Sequence, residues 1–272
     1  MLSAVPPELP GIPPGTVSGI PPDALPGTLS VMVPGVLEHQ PHRVRPLASV
    51  GKLLLLAEVA RGLTGGDLDP GEPFDLLDED YCGGSGLLTA LSARRWTVPD
   101  LALLTAAVSD NTATNALIRR VGLDRVNQGA DALGLVRTRV LDRIREPRSP
   151  AHPPTFAVGT AAELAGLARR IAADEPWARL LLGWMAGCGD RSMVPALIPH
   201  DPEDSTVRDV PSTSLWVANK TGTDVGVRCD VGVVRGTRQV CYAVLGSSRP
   251  GHEFETLQAM RTVGAQIAAA AR

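Results

Sequence analysis

Apolar residues recur at helical spacing through the middle of the chain and alternate at strand spacing towards both ends. Residues 50–61 are apolar almost all round, which predicts a buried helix. Alternation on both sides of Pro34-Gly35 predicts two short strands joined by a turn. The same patterns predict helices over 84–95, 97–109, 110–122, 123–134, 160–172, 175–188 and 253–272, and strands over 214–222, 228–236 and 238–247.

The order of these elements predicts an α+β fold with two lobes. An antiparallel five-stranded sheet flanked by helices is expected from residues 28–48 and 201–272, and an all-helical lobe from residues 49–200. Residues 1–27 are rich in Pro and Gly and are predicted to be irregular. Residues 141–156 are too polar and Pro-rich for regular structure, and a long loop within a compact domain is often functional.

Composition narrows the classes of partner. The chain has 272 residues, 44% hydrophobic and 20% charged, with a net charge of −3. Because it has no Lys/Arg block, it is not expected to bind nucleic acid or an anionic membrane. No apolar run has the length of a transmembrane helix, and the N-terminus lacks the basic start and apolar stretch of a signal peptide. We therefore expect a cytoplasmic monomer, or a secreted protein if the true start or a leader is missing.

No metal or other cofactor is expected. Spacing is the only feature of His39 and His42 that suggests a metal site. The sequence contains no H-E-x-x-H, P-loop or G-x-G-x-x-G motif. The four cysteines are scattered without a C-x-x-C pair, which favours reduced core cysteines over a disulfide framework.

Lysine usage singles out two positions. Of the 26 Lys and Arg residues, 24 are Arg, and the two lysines are Lys52 and Lys220. Arginine does not lose its proton in proteins, whereas a lysine with a lowered pKa does. A chain that meets its need for charge with arginine is therefore expected to keep lysine where the chemistry requires an amine.

Ser49 and Lys52 form an S-x-x-K pair at a predicted helix start. Residues at this spacing share a helical face, so the hydroxyl and the amine can meet. A lysine in the first turn opposes the helix dipole, and the apolar run after it should lower its pKa. A neutral amine beside a hydroxyl is a general base for a nucleophile. A serine cap followed by a surface lysine is the structural alternative.

Two further groups carry chemistry of the same kind. Ser109 is a second hydroxyl able to relay a proton, and the Asn111 amide can bind an acyl side chain, while Asp110 is expected to orient the loop. The alternative is a helix cap, since these residue types are preferred there. Lys220, Thr221, Gly222 and Thr223 end a strand: Lys220 would attract a carboxylate, Gly222 would admit a substrate backbone, and the Thr223 N–H would stabilise an oxyanion. The alternative for Lys220 is a surface lysine at a strand end.

The ordered set Ser49-Val50-Gly51-Lys52, Ser109-Asp110-Asn111 and Lys220-Thr221-Gly222 resembles the serine β-lactamase and penicillin-binding protein family, and class A β-lactamases above all. The resemblance extends from about Leu29 to the C-terminus. It implies a β-lactamase/transpeptidase-like fold with the active site in the cleft between the lobes. It also implies that Ser49 is acylated, that Lys52 is its base and that Ser109 protonates the leaving nitrogen. Asn111 would bind the substrate amide, Lys220 and Thr221 its carboxylate, and the N–H groups of Ser49 and Thr223 its oxyanion.

The resemblance assigns two more roles and meets two departures. Glu146, followed by Pro147, matches the loop glutamate that activates the deacylating water, and Arg228 lies near the position of a carboxylate-binding arginine. However, Arg145 is an extra residue before the glutamate, and Pro150 stands where an asparagine would hold the water. A solvated loop glutamate is therefore the alternative for Glu146.

Three functional hypotheses follow. The first is a serine hydrolase that hydrolyses β-lactams through an acyl-enzyme at Ser49. The second is a cytosolic relative that hydrolyses or transfers another acyl group, as an esterase, a transacylase or a D,D-peptidase-like enzyme. The third is a non-catalytic penicillin-binding or sensor module. All three require a small-molecule ligand.

Overall fold

A five-stranded antiparallel sheet forms one side of the protein. The computed structural model describes residues 28–206 and 214–272, so the Pro/Gly-rich segment 1–27 lies outside the described residues. The strands are ordered β2–β1–β10–β9–β8, which makes β8 an edge strand. The five strands are β1 (Leu29–Val33), β2 (Leu37–His39), β8 (Trp216–Asp224), β9 (Val227–Arg235) and β10 (Gln239–Ser247).

Four predicted helices begin or end at the expected residues. Thr97 caps α2 by accepting a hydrogen bond from the Asp100 N–H, Asp110 caps α3 and Thr160 caps α5. Gly122, with a φ of 90°, separates α3 from α4. The helices in the described residues are α1 (Lys52–Gly65), α2 (Val98–Ala107), α3 (Asn111–Val121), α4 (Leu123–Ala132), α5 (Ala161–Ile171), α6 (Pro176–Ala186) and α7 (Glu253–Ala271).

Apolar side chains cover both faces of the sheet. On one face, Cys229, Val231 and Ala243 belong to the core that the first six helices build around α1. On the other face, Val244 and Tyr242 pack with Met193, Met260, Val263 and Ile267, the last three from α7. Each fully buried aliphatic side chain contributes roughly 1.5–3 kcal/mol, so these two layers hold the helices on the sheet. The fold is thus of the predicted α+β class, while the division into lobes at residues 48 and 200 stays a prediction.

The helix predicted over residues 84–95 is wrong. Gly84 and Gly86 have φ values of 88° and 118°, and residues 84–90 form bends and turns. The N–H groups of Leu87 and Leu88, which a helix would need, are bound by the Asp110 carboxylate at 2.6 and 2.9 Å. The end of the segment instead enters a two-stranded sheet of β4 (Pro73–Asp75) and β5 (Arg95–Thr97).

A small third sheet connects the helices to the loop over residues 141–156. Its strands are β3 (Arg45–Pro46), β6 (Arg139–Val140) and β7 (Ala157–Gly159), in the order β3–β7–β6. The predicted loop does lack helix and strand, and it runs from β6 to β7. Within residues 28–206 and 214–272, none of the helices has both the length and the apolar composition of a membrane span.

Candidate active site

Ser49 lies in a tight turn that precedes α1. The turn, Ala48–Gly51, is a 3-10 helix, and Lys52 is the first residue of α1. Ala48 has a φ of 45°, a conformation that alanine adopts only when its surroundings impose it. The Ser49 side chain is half-buried. Of the residues that the structure describes, none hydrogen-bonds its hydroxyl, so the hydroxyl is unengaged.

Gly222 on β8 holds that turn in place. A Cβ at this glycine would lie 2.8 Å from Val50 N and 3.1 Å from Ser49 N, and closer still to the Leu47 carbonyl. Only a residue without a side chain allows the strand and the turn to approach this closely. The space in the side-chain direction of Gly222 is occupied by the turn that carries Ser49. The expectation that Gly222 admits a substrate backbone stays a prediction.

Lys52 is completely buried, and its amine contacts the Ser109 region. Its Nζ donates to Ser109 O at 2.6 Å and to Asn111 Oδ1 at 2.8 Å, and it lies 3.2 Å from Ser109 Oγ. Burial lowers the pKa of Lys52 well below its usual value, and the charge of Lys220 lowers it further, while Asp110 and Cys82 oppose the change. The two carbonyl oxygens need two N–H donors, which a neutral amine supplies while keeping its lone pair.

Lys220 reaches the same hydroxyl from the sheet. Its Nζ lies 3.2 Å from Ser109 Oγ and donates to Thr221 O at 2.9 Å, and its side chain is also fully buried. Burial lowers the pKa of Lys220, whereas Cys188, Asp190 and Asp230 raise it. The two lysines thus converge on Ser109 Oγ, as the sequence predicted, while the role of each residue stays a prediction.

Asp110 and Asn111 fix the loop that presents Ser109. Ser109 has a φ of 55°, so its backbone is strained. The Asp110 carboxylate also accepts from Ala113 N at 2.9 Å, in agreement with its expected orienting role. Asn111 Nδ2 donates to Gly83 O at 2.7 Å, so one of its two amide hydrogens is engaged by the protein and the other remains for a substrate.

Two cavities lie on either side of Ser49. One, of about 370 Å³, is lined by Ser109, Lys220 and Thr221, and the other, of about 310 Å³, by Asn111 and the loop over residues 141–156. Ser49, Ser85 and Thr223 line both. Ser49 therefore faces two compartments, one lined by Lys220 and one lined by the loop over residues 141–156.

Glu146 lines the second cavity but is exposed. No hydrogen bond to its carboxylate occurs among the described residues, and Pro150 does not line the cavity. The loop itself is anchored, because Asn115 Nδ2 donates to Ile144 O at 3.0 Å and Asn115 Oδ1 accepts from Ile144 N at 2.8 Å. The extra residue, Arg145, donates from Nε to Asp142 at 2.8 Å. The proposed water-activating role of Glu146 stays a prediction.

Arg228 does not contribute its guanidinium to either cavity. It is paired with Thr223 across β8 and β9, but its Nη1 donates to the carbonyls of Asp224 and Val227, both at 2.7 Å. The carboxylate-binding role of Arg228 stays a prediction, and Lys220 is a basic residue that lines the first cavity.

Sequence reasoning missed several residues that line the cavity with Lys220. Ser85 had been assigned to a helix, and Cys188 and Asp190 follow α6 in a segment with no recognisable motif. Gly189 N donates to Ala107 O at 2.9 Å, which brings this segment beside Ser109. No local signal could have found these residues, because only the packing of α2 against α6 places them there.

The fold is α+β, and the lysine of an S-x-x-K motif is buried at the start of a helix. These two features together are characteristic of hydrolases with the serine β-lactamase fold. The chain belongs to the β-lactamase enzyme family, whose model matches residues 28–271. No curated protein sequence matches this chain.

Solved structures support the fold. A β-lactamase from Sphaerobacter thermophilus is 26% identical, with a TM-score of 0.74, and the match covers 89% of this chain and 88% of that one. The protein PBP-A is 21% identical, with a TM-score of 0.74 and the same coverage of 89% and 88%. A class A β-lactamase from Mycobacterium abscessus is 19% identical, with a TM-score of 0.73 and coverage of 89% and 92%.

Proposed function

We propose that this protein is a serine hydrolase that attacks the amide of β-lactams and forms a covalent acyl-enzyme at Ser49. The observation that carries the proposal is the convergence of two buried lysines on one hydroxyl, Ser109 Oγ, beside the unengaged Ser49. The proposal is supported by the membership of the β-lactamase enzyme family. A mutant of PBP-A, 21% identical to this chain, has been solved as an acyl-enzyme complex with penicillin G.

Acylation begins with the neutral Lys52. Burial and the charge of Lys220 lower the pKa of Lys52 well below its usual value, which favours the neutral amine with a free lone pair. The Ser49 hydroxyl has no hydrogen bond to break among the described residues. A rotation of Ser49 brings Oγ–H to Nζ, Lys52 takes the proton, and Oγ bonds to the lactam carbonyl carbon. General-base assistance of this kind contributes roughly 10²–10⁴-fold in rate.

The proton then passes to the leaving nitrogen. Ser109 Oγ lies 3.2 Å from Lys52 Nζ, so it can receive the proton and give its own to the lactam nitrogen as the C–N bond breaks. Lys220, on the other side of Ser109 at 3.2 Å, favours this transfer because its positive charge discourages a second protonated lysine. The products of this step are the Ser49 ester and a protonated ring nitrogen.

The rest of the site binds the substrate. The N–H groups of Ser49 and Thr223, which both line the two cavities, would stabilise the oxyanion. Lys220 and Thr221 would bind the substrate carboxylate in one cavity, and Asn111 the acyl amide in the other. Glu146, at the wall of the second cavity, would activate the water that hydrolyses the ester.

Mass spectrometry of the intact protein during incubation with benzylpenicillin tests the proposal. We expect a mass increase equal to one penicillin that then decays, and no increase in Ser49→Ala. This variant is a matched control because Ser49 Oγ makes no hydrogen bond within the described residues, so its removal should leave the fold intact. Absence of any adduct in the wild type, with no nitrocefin hydrolysis, would reject the proposal.

A second candidate is favoured by the state of Glu146. Its carboxylate is exposed and unbonded among the described residues, and Pro150 supplies no amide to hold a water. Slow deacylation would make the protein a penicillin-binding acyl-enzyme, or a hydrolase or transacylase of more reactive esters. In the same time course this candidate predicts an adduct that persists, together with hydrolysis of an activated ester that Ser49→Ala abolishes.

A further inference from the structure

A buried polar network lies directly behind the strand that carries Lys220. Asn219, the preceding residue, is fully buried, and its Nδ2 donates to Asp230 Oδ1 at 3.1 Å. Tyr242 OH donates to the same oxygen at 3.1 Å, and Val194 N donates to Asp230 Oδ2 at 3.1 Å. Asp230 thereby joins all three neighbouring strands, β8, β9 and β10, to the chain that follows α6.

The network continues into the wall of the cavity. Asn219 Nδ2 also donates to Asp190 O at 3.2 Å, and Asn219 Oδ1 accepts a hydrogen bond from Arg191 Nη1. Arg191 Nη2 donates to Ala186 O at 2.8 Å, at the end of α6. Residues 187–193, which we call the back segment, therefore depend on Asn219 and Asp230 for their position. Cys188 and Asp190 of this segment line the cavity with Lys220.

We propose that Asp230 is a positioning residue whose ionised carboxylate holds the back segment and the Lys220 strand in the arrangement that receives the substrate. The inference deepens the proposed function of this site and rests on it for the link to substrate. Asp230 does not touch the cavity, and it acts through Asn219, Arg191 and Lys220.

Several charged or titratable groups surround Asp230. The β9 residue Cys229 points to the other face of the sheet, and α7 contributes apolar side chains to this face, with Arg261 outside at Ser192 O. Tyr242 on β10 and Asp190 on the back segment affect the pKa of Asp230, and Asp230 affects the pKa values of Lys220 on β8, Cys229 on β9 and Tyr242. On the back segment, Cys188 affects the pKa values of Lys220 and Tyr242, and Arg191 affects that of Tyr242. Lys220, Cys188 and Asp190 line the cavity, and Lys220 is the basic group among them, whose pKa Asp230 raises.

The Asp230 carboxyl changes its protonation state near neutral pH. Burial raises the pKa of Asp230 to about 7, and Asp190 adds to the rise, while the hydrogen bonds from Asn219, Tyr242 and Val194 oppose it. Above this pH the ionised carboxylate raises the pKa of Lys220 and so favours the protonated amine that would bind a substrate carboxylate. Below this pH the carboxyl of Asp230 is protonated and no longer raises the pKa of Lys220.

Amide NMR of the ¹⁵N-labelled full chain, titrated from pH 5 to 9, tests the link without any reaction. We expect the amide signals of Val194, Gly189 and Lys220 to share one midpoint near 7. Asp230→Asn should abolish this common midpoint. Tyr242→Phe should move it to higher pH, because the phenol donor lowers the pKa of Asp230. Glu58→Gln, at a buried carboxylate on α1 paired with Arg125, should leave it unchanged.

Acylation by benzylpenicillin provides the second readout. We expect Asp230→Asn to match the wild type at pH 5.5 and to require a several-fold higher benzylpenicillin concentration for half-maximal acylation at pH 8, with little change in the maximal rate. A wild type that is never acylated would overturn the proposed function, while the NMR titration would still decide the link to the back segment. A Val194 midpoint that Gly189 and Lys220 do not share, or that survives in Asp230→Asn, would overturn this inference.

Discussion

Lys52 and Lys220 approach the same oxygen atom, Ser109 Oγ, each at 3.2 Å, from opposite walls of the site. The two amines are the chain's two lysines, and both are fully buried. Two positive charges this close in a buried site would repel strongly, so the arrangement favours one protonated and one neutral amine. We expect the neutral one to be Lys52, because burial and the charge of Lys220 lower its pKa well below its usual value.

Replacement of Lys52 should remove the base. We expect Lys52→Met and Lys52→Arg each to slow acylation of Ser49 by roughly 10²–10⁴-fold, because neither side chain can accept a proton at neutral pH. Stopped-flow acylation with a fluorescent penicillin measures the rate, and a thermal melt confirms folding. Arg61→Met, on the same helix but paired with Glu58, should leave the rate unchanged. Rapid acylation of a folded Lys52→Met would remove this lysine from the mechanism.

The pH dependence of acylation should report the pKa of Lys52. The rate should rise with pH as Lys52 loses its proton and reach a plateau below the usual lysine range, because its pKa is lowered. Lys220→Met removes the like charge, so the pKa of Lys52 should rise and the rising limb should move to higher pH. Lys220→Arg keeps the charge and should leave the limb in place. Identical limbs in Lys220→Met and Lys220→Arg would show that Lys220 does not influence the base.

Glu146 should affect hydrolysis of the acyl-enzyme without affecting its formation. If Glu146 activates the water, Glu146→Gln should slow the decay of the penicilloyl adduct by roughly 10²–10⁴-fold and leave acylation unchanged. The matched control is Glu72→Gln, at an exposed glutamate paired with Arg120. An adduct that decays equally fast in Glu146→Gln and the wild type would assign Glu146 to the solvated loop.

Gly222→Ala should damage both stability and the site. The new Cβ would meet backbone atoms of the Ser49 turn, including Val50 N at 2.8 Å, which cannot rotate away. Overpacking of this kind destabilises by roughly 1–3 kcal/mol, and the displaced turn should slow acylation. Gly183→Ala is the control: its Cβ would meet nothing within 4 Å on α6, so stability should rise by about 0.5–1 kcal/mol. Chemical denaturation measures both, and a neutral Gly222→Ala would contradict the close approach.

Asp230 should make the stability of the protein depend on pH. The pKa of the Asp230 carboxyl is 3.8 in the unfolded chain and about 7 in the folded chain. Between these two pH values the carboxyl is therefore protonated in the folded chain and ionised in the unfolded chain. Protonation of Asp230 therefore stabilises the folded chain to its full extent below pH 3.8. This stabilisation declines as pH rises to about 7, by at most about 1.4 kcal/mol per pH unit. Urea unfolding should show that the free energy of unfolding of Asp230→Asn increases relative to that of the wild type from pH 5 to 7. A difference that is constant over this range would mean that Asp230 is already ionised.

The secondary structure was predictable where its cause is local. The caps Thr97, Asp110 and Thr160 and the amphipathic periodicity of α5 and α7 act over a few residues, so the sequence displays them. The helix predicted over residues 84–95 failed because its cause is distant. Asp110, far along the chain, binds the N–H groups of Leu87 and Leu88 that a helix would have used.

The sequence by itself singled out the residues that we predict to carry the chemistry. Two lysines in an arginine-rich chain, a serine at i−3 from one of them and a serine before the third helix are visible without coordinates, because they depend on composition and short spacing. Tertiary structure decided what those residues can do. The pKa of Lys52 is lowered by burial and by Lys220, the side chain of Arg228 is directed to backbone carbonyls, and Asp230 meets Asn219 behind the site. Electrostatic coupling and burial depend on distances between segments remote in sequence, and only the folded chain fixes those distances.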